Sequence, residues 1–139
     1  MAEHDCPFCA IVAGDAPASI VHETDDLLAF MDLNPITEGH ALVIPKAHAA
    51  GLAPLDAATG GAMFEQAMEV AAAMRGSDLD PDGIDLFLAD GEAAGQEVFH
   101  VHLHVIPRYE GDGVVLPVGE GPADREDLDA IAADLSPSL

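Results

Sequence analysis

The stretch HVHLHVIPR, residues 100–108, sets His100, His102 and His104 in strict alternation with Val101, Leu103 and Val105. On a helix, positions i and i+2 do not face each other, so no helix face could carry all three imidazoles. On a strand, successive side chains point to opposite faces, which puts the histidines on one side and the apolar residues on the other. Neighbouring imidazoles would then stand about 6.5–7 Å apart. Such a row is a poor way to build a core. It is a good way to present a nucleophile, a proton donor or metal ligands. The stretch therefore predicts a strand over residues 99–109, entered from the glycine-bearing loop DGEAAGQE at 90–97. Arg108, four residues past His104, falls on the same face, where it would either neutralise a phosphate or pair with a carboxylate.

Working outward, a short helix is expected near Cys6, carrying Phe8, Ile11 and Val12, and a turn at residues 14–17. Strands are expected at 19–23, 27–32 and 40–44, the last ended by Pro45, which has no N–H to donate. Residues 52–74 read as one long helix with Phe64, Ala67, Met68, Ala71 and Met74 as its core stripe. Gly60 and Gly61 each cost about 1 kcal/mol against alanine, so this helix frays or starts late. Residues 77–83 read as a loop and 84–89 as a fourth strand. A short terminal helix at 124–135 carries Leu128, Ile131 and Leu135. Strands that follow one another through turns, with one long helix inserted, predict an α+β fold with an antiparallel sheet rather than a doubly wound parallel one.

The length, 139 residues, suits a single domain over 1–139, and half of the residues are hydrophobic, enough for a core. No run approaches the roughly 20 apolar residues of a membrane span, and MAEHDCPFCAIVAG does not have the form of a secretory signal. A soluble cytoplasmic protein with no membrane partner is expected. Its 26 acidic residues face only Lys46, Arg75, Arg108 and Arg125, a net charge of −22 spread along the whole chain. Such charge opposes compaction at low salt and is largely screened at molar salt. A halophilic protein from a very saline cytoplasm is the expectation. The same balance excludes duplex nucleic acid as a partner, since that needs a basic footprint.

Cys6 and Cys9, spaced i,i+3, suggest a metal or redox pair more than a structural disulfide. A thioredoxin-like role would want a strand ahead of the pair, and only five residues precede it. A zinc site fits better, and a closed tetrahedral one needs two further ligands. The histidine row itself admits three uses: ordinary satisfied polar residues, a structural metal site, or catalysis by a neutral imidazole that forms a covalent intermediate. Gly91 and Gly95 in the preceding loop favour the last, because backbone N–H groups of such a loop cradle phosphate where lysines are lacking.

GQEVFHVHLHVIPR, at 95–108, resembles the signature of the histidine triad (HIT) family of nucleotide hydrolases and transferases. CPFCAIVAGDAPASIVHETDDLLAFMDLNPITEGHALVIPKAH, at 6–48, is similar to that family's N-terminal half in order and spacing. The resemblance covers about residues 5–135. It implies a HIT-like fold: a five-stranded antiparallel sheet with one long and one or two short helices, dimerising so that two sheets join. By the same resemblance His102 is the nucleophile at the α-phosphorus, His104 contacts phosphate oxygens and His40 is a fourth active-site histidine. Gln96 belongs with this catalytic set. Gly95, Gln96, Glu97 and Val98 form the phosphate-facing loop, Asp32 binds the ribose hydroxyls, and Phe8, Leu33 and Ile36 line the base pocket. Structural zinc would sit on Cys6, Cys9, His48 and His100, while His4 and His22 match no motif and are expected at the surface. Ala89 stands where relatives often carry Asn or Gln, and Glu97 where one branch often has Ser. Implied substrates are nucleoside phosphoramidates, aminoacyl adenylates or dinucleoside polyphosphates. Two alternatives remain: a nucleotide-binding or sensing module with little turnover, and a metallohydrolase whose three histidines hold zinc around an activated water.

Overall fold

The structure, a computed structural model, describes residues 5–139; the expectation for His4 lies outside them. Helix α1, Pro7–Ala13, starts with a proline, whose missing N–H costs nothing at that position. The Cys6 sulfur caps it by accepting from the Cys9 amide at 3.3 Å. Gly14 ends it in the left-handed conformation. Five strands follow: β1 Ile20–Glu23, β2 Leu27–Met31, β3 Ala41–Pro45, β4 Gly83–Phe87 and β5 Leu103–Arg108. They form one sheet in the order β1-β2-β3-β5-β4 with every pair antiparallel. Helix α2, Ala57–Arg75, is inserted between β3 and β4, and α3, Arg125–Leu135, comes last. The α+β class and the five antiparallel strands are as the sequence predicts. No helix among the described residues is long and apolar enough to cross a membrane.

The sheet has two covered faces. Ala29, Val43, Val101, Leu103 and Val105 pack with Met63, Ala67, Val70 and Met74 of α2. Leu28, Phe30, Leu42 and Ile44 point the other way and pack with Cys6 and Phe8 at the start of α1. Residues 27–30 and 41–45 are therefore buried on both faces and read as unbroken apolar runs. The apolar half of the histidine stretch goes to the α2 face, as alternation requires, and the histidines go to the α1 face.

Several boundaries differ from expectation. The ladder of β5 begins at Leu103, not at residue 99. Its partner β3 supplies Ala41, Leu42 and Val43 opposite Val105, His104 and Leu103, and then ends at Pro45. Residues 99–102 continue beside the sheet without a ladder, with the Val101 amide held by the Ala49 carbonyl at 2.7 Å. Freed from the regular pleat, the rings of His102 and His104 lean together, their centroids 4.8 Å apart, closer than a flat strand would set them.

Helix α2 starts at Ala57, after the Asp56 cap, rather than at residue 52. Its stripe is also rotated. Met63, Gln66, Ala67, Val70, Ala71 and Met74 are buried, whereas Phe64 and Met68 are 54% and 58% exposed. Ala, Met, Phe and Val crowd this segment on every side, so two i,i+3/i+4 stripes fit the sequence equally. The correct one passes through a polar residue, Gln66. Gly83 belongs to β4, not to the preceding loop, and His22 is exposed as expected.

Candidate active site and metal cluster

His102 and His104 line a cavity of about 990 Å³ on the α1 face, together with His40, which precedes β3. Its apolar wall comes from Phe8 and Ile11 of α1, Phe30, Leu42 and Val98, and its rim from Asp32, Leu33, Ile36 and Glu97. Of the residues expected around a nucleotide, Phe8, Asp32, Leu33, Ile36, Glu97 and Val98 all reach this wall. Ile11, Phe30 and Leu42 were not anticipated. Leu42 pairs with His104 across the ladder, a signal that needs the strand register and not just the strand.

The hydrogen bonds fix the tautomer of each histidine. His102 Nδ1 lies 2.8 Å from the His100 carbonyl. A carbonyl only accepts, so Nδ1 carries the proton and Nε2 keeps its lone pair. The Ile36 amide donates to His40 Nδ1 at 3.0 Å, which leaves the proton of neutral His40 on Nε2. That N–H faces His104 Nδ1 at 2.8 Å and lies 3.5 Å from Asp32 Oδ2. His104 Nδ1 therefore accepts, and the N–H of His104 is on Nε2. The cavity holds one bare imidazole nitrogen beside one imidazole N–H donor.

Burial keeps this set uncharged. It lowers the pKa of His102 against the opposing pull of the His100 carbonyl and Asp32. His40 is lowered by burial, with Asp32 raising it and His102 lowering it further. His104 is pushed down to about 4 by burial and then by His102 and His40, with Asp32 opposing.

The loop before β5 divides into two parts. Gly91, with φ 96°, begins a 3₁₀ turn over Glu92–Ala94, and Gly95, with φ 95°, ends it. Gln96 is buried, and its side chain is spent on the protein: Oε1 accepts from the Gly91 amide at 2.7 Å, and Nε2 donates to the carbonyls of Ala50 and Val98 at 2.6 and 3.0 Å. Neither Gly95 nor Gln96 lines the cavity; Glu97 and Val98 do. The amides of Ala94, Gly95 and Gln96 are satisfied within the loop. Ala89, after β4, is buried and off the cavity wall. Arg108 does not reach the cavity either. It bonds Asp112 and Asp85 at 2.7 Å each and the Val114 carbonyl at 2.8 Å, which decides its role in favour of carboxylates.

His100 is turned toward the cysteine pair. Its Nδ1 lies 3.3 Å from Cys6 Sγ and 3.5 Å from Cys9 Sγ, and His48 Nδ1 lies 3.3 Å from Cys9 Sγ. Tetrahedral zinc, with bonds of about 2.3 Å to sulfur and about 2.0 Å to nitrogen, puts neighbouring sulfur and nitrogen ligands about 3.5 Å apart. The three sulfur–nitrogen separations are close to that value, and all four ligand atoms lie within 4.8 Å of one another. His100 Nε2 donates to the Pro45 carbonyl at 2.7 Å, which leaves the Nδ1 lone pair for a metal.

Asp32, His40 and His104 also offer three close ligand atoms, but the chemistry disagrees. His40 would have to bind metal through Nε2, the atom that carries its proton while Nδ1 accepts from Ile36. This disfavours a metal centre on Asp32, His40 and His104. A zinc held by all three histidines of the row is disfavoured separately, because His100 is turned to the cysteines and the Pro45 carbonyl.

The HIT domain family model matches residues 13–111. The chain belongs to the histidine triad (HIT) family. "Protein hit" of Bacillus subtilis is 37% identical to this HIT protein over 138 residues, 97% of this chain and 94% of that one. A zinc-bound histidine triad family protein from Mycobacterium smegmatis has a TM-score of 0.79 at 40% identity, covering 99% of this chain and all of the other. A histidine triad nucleotide-binding protein from Candida albicans has a TM-score of 0.82 at 27% identity, with 97% of each chain covered. This HIT protein therefore falls among nucleotide-binding hydrolases and transferases, and its cysteine–histidine cluster has a composition and geometry that could hold zinc.

Proposed function

We propose that this HIT protein, working as one domain over residues 1–139, transfers nucleoside 5′-phosphoryl groups to water or another acceptor by double displacement at the α-phosphorus. The observation that carries this is the tautomer of His102: Nδ1 is pinned to the His100 carbonyl, and Nε2 is bare on the wall of an apolar-lined cavity. A neutral, oriented imidazole of this kind is a competent nucleophile. His104 Nε2–H donates to a phosphate oxygen, and His40, held by Ile36 and Asp32, fixes His104 in that form. The backbone amides of Glu97 and Val98, residues of the cavity lining with no protein partner for these amides among the described residues, are left to donate to the same phosphate. Asp32 takes the ribose hydroxyls and Phe8, Leu33 and Ile36 the base. Gln96 shapes the loop from beneath.

Zinc on Cys6, Cys9, His48 and His100 is structural in this scheme. It ties α1 to the segments after β3 and before β5, and supplies no step of the reaction. The edge strand β4, with Leu86 and Phe87 partly exposed, supports a homodimer joined through that edge, which the solution mass reports directly.

The test is turnover and trapping at high salt. Wild type incubated with an adenosine 5′-phosphoramidate and quenched in mild base should carry one nucleotidyl group on His102. His102→Ala should lose turnover by about 10⁴-fold or more while still binding AMP. Full activity in that variant would end the assignment. Binding without turnover by wild type would instead favour the sensing module.

The low pKa of His104 predicts a pH signature. A histidine whose folded pKa lies below its unfolded value gives stability that is present above about pH 6.5 and lost as pH falls toward about 4. The urea midpoint of wild type minus that of His104→Gln should therefore shrink across this window. A difference that grows on acidification would mean that His104 is held charged.

A further inference from the structure

The cations of this chain lie away from the cavity. Lys46 bonds Glu23, Arg108 bonds Asp85 and Asp112, Arg125 reaches Asp129, and Arg75 closes α2. No lysine or arginine lines the cavity, and its charged side chains are Asp32 and Glu97. Asp32 is occupied: Oδ1 accepts from the Asn34 amide at 2.8 Å and Oδ2 faces His40. Glu97 is exposed and makes no hydrogen bond or ion pair among the described residues. One phosphoryl anion can be met by the His104 N–H and the amides of Glu97 and Val98. A second or third phosphate would have no cation to meet and a carboxylate beside it.

We infer that Glu97 makes this site selective for nucleoside 5′-phosphoryl compounds whose leaving group carries an ammonium, and disfavours dinucleoside polyphosphates and other anionic leaving groups. This rests on the function proposed above, since it assumes a nucleotide with phosphorus at His102. With the base on the apolar wall and the ribose at Asp32, Glu97 is the charged side chain of the cavity lining left to meet what lies beyond phosphorus. His102 Nε2 bonds to phosphorus as the bond to the leaving group breaks with its electron pair. An acyl leaving group departs as a carboxylate and needs no proton; an amine nitrogen takes one from water. A second water then cleaves the phosphorus–imidazole bond, giving the nucleoside monophosphate and free His102, and the proton it releases neutralises the hydroxide left where an amine has departed. The distal ammonium is not consumed. It lies against Glu97 and lowers the cost of placing an anion in an acidic cavity.

The test uses adenosine 5′-phosphoramidates of 1,3-diaminopropane, propylamine and β-alanine, which share one scissile bond and differ by a distal charge of +1, 0 and −1. For wild type in 0.5 M salt, kcat/KM should fall in that order, by about fivefold per unit charge, the scale of a solvent-accessible ion pair. The spread should narrow at 2 M salt and collapse toward unity in Glu97→Gln. A flat series in wild type, a preference for the anionic compound, or a spread unchanged in Glu97→Gln would overturn the inference. Equilibrium binding of the same compounds to His102→Ala separates it from the reaction. An ordered series there without turnover in wild type would sink the catalytic function and keep the charge selectivity. Turnover with no order would do the reverse, and absence of binding by all three would overturn both.

Discussion

With Cys6 and Cys9 both changed to serine, the protein should purify without bound metal and unfold about 10 °C or more below wild type. Wild type should carry about one zinc per chain. The four ligands come from three places distant in sequence, at 6–9, 48 and 100, and three of their sulfur–nitrogen separations, 3.3–3.5 Å, are close to those of tetrahedral zinc. Zinc removes the need to hold two sulfurs and two ring nitrogens together without a counter-charge. Its apparent worth in peptides that fold only on binding is about 10–16 kcal/mol. Here the sheet has two apolar clusters of its own, so only part of that appears as stability. A loss of about 3 kcal/mol gives the stated shift for a domain of this size. Activity should fall even where the variant is folded. The His100 carbonyl orients His102, and Phe8, which lies between the two cysteines in sequence, packs against the His102 ring edge-to-face at a centroid distance of 5.1 Å. Metal analysis and thermal unfolding check this together. One zinc retained per chain in the double variant would move the metal site elsewhere.

The histidine stretch was legible because alternation needs no knowledge of the partner strand. It gave the two faces, and the resemblance gave His102, His104, His40 and the metal set, all of which fold into two adjacent clusters. What was not legible depended on tertiary context. Gln96 looked like a site residue, and the fold buries it beneath the loop, where three backbone groups need its amide. Arg108 is on the predicted face, but Asp85 and Asp112, one on the neighbouring strand and one in the following turn, take it first. In α2, a helix rich in alanine and methionine has no unique apolar stripe, and the sheet chose the one through Met63 and Ala67, leaving Phe64 and Met68 outside. The Ile36 amide could not be found from sequence at all. It acts through its backbone, in a turn that brings it to His40, and no side chain marks the job.

Lowering the salt should unfold this protein. In 2 M potassium chloride its thermal midpoint should stand well above that in 0.1 M, by about 10 °C or more, with most of the gain below 1 M. The argument is one of unpaired charge. The net charge is −22, and the cations reach only Glu23, Asp85, Asp112 and Asp129 among the described residues. Other carboxylates stand close together, as Asp25 and Asp26 do in the β1–β2 turn and Glu126 and Asp127 do in the first turn of α3. The latter pair gains a little from the helix dipole there, and the rest repel. At 0.1 M salt the Debye length, about 10 Å, spans many neighbouring pairs on a domain of this size; at 1 M, about 3 Å, it spans almost none. Unfolding relieves the repulsion by separating the charges, so screening favours the folded state. Potassium chloride and tetramethylammonium chloride should act alike at equal ionic strength, because screening depends on concentration and not on a cation site. Replacing Asp25, Asp26, Glu126 and Asp127 by their amides should shift the whole curve to lower salt. A midpoint that is flat from 0.1 to 2 M, or that responds only to potassium, would show that the carboxylates are balanced by something other than screening.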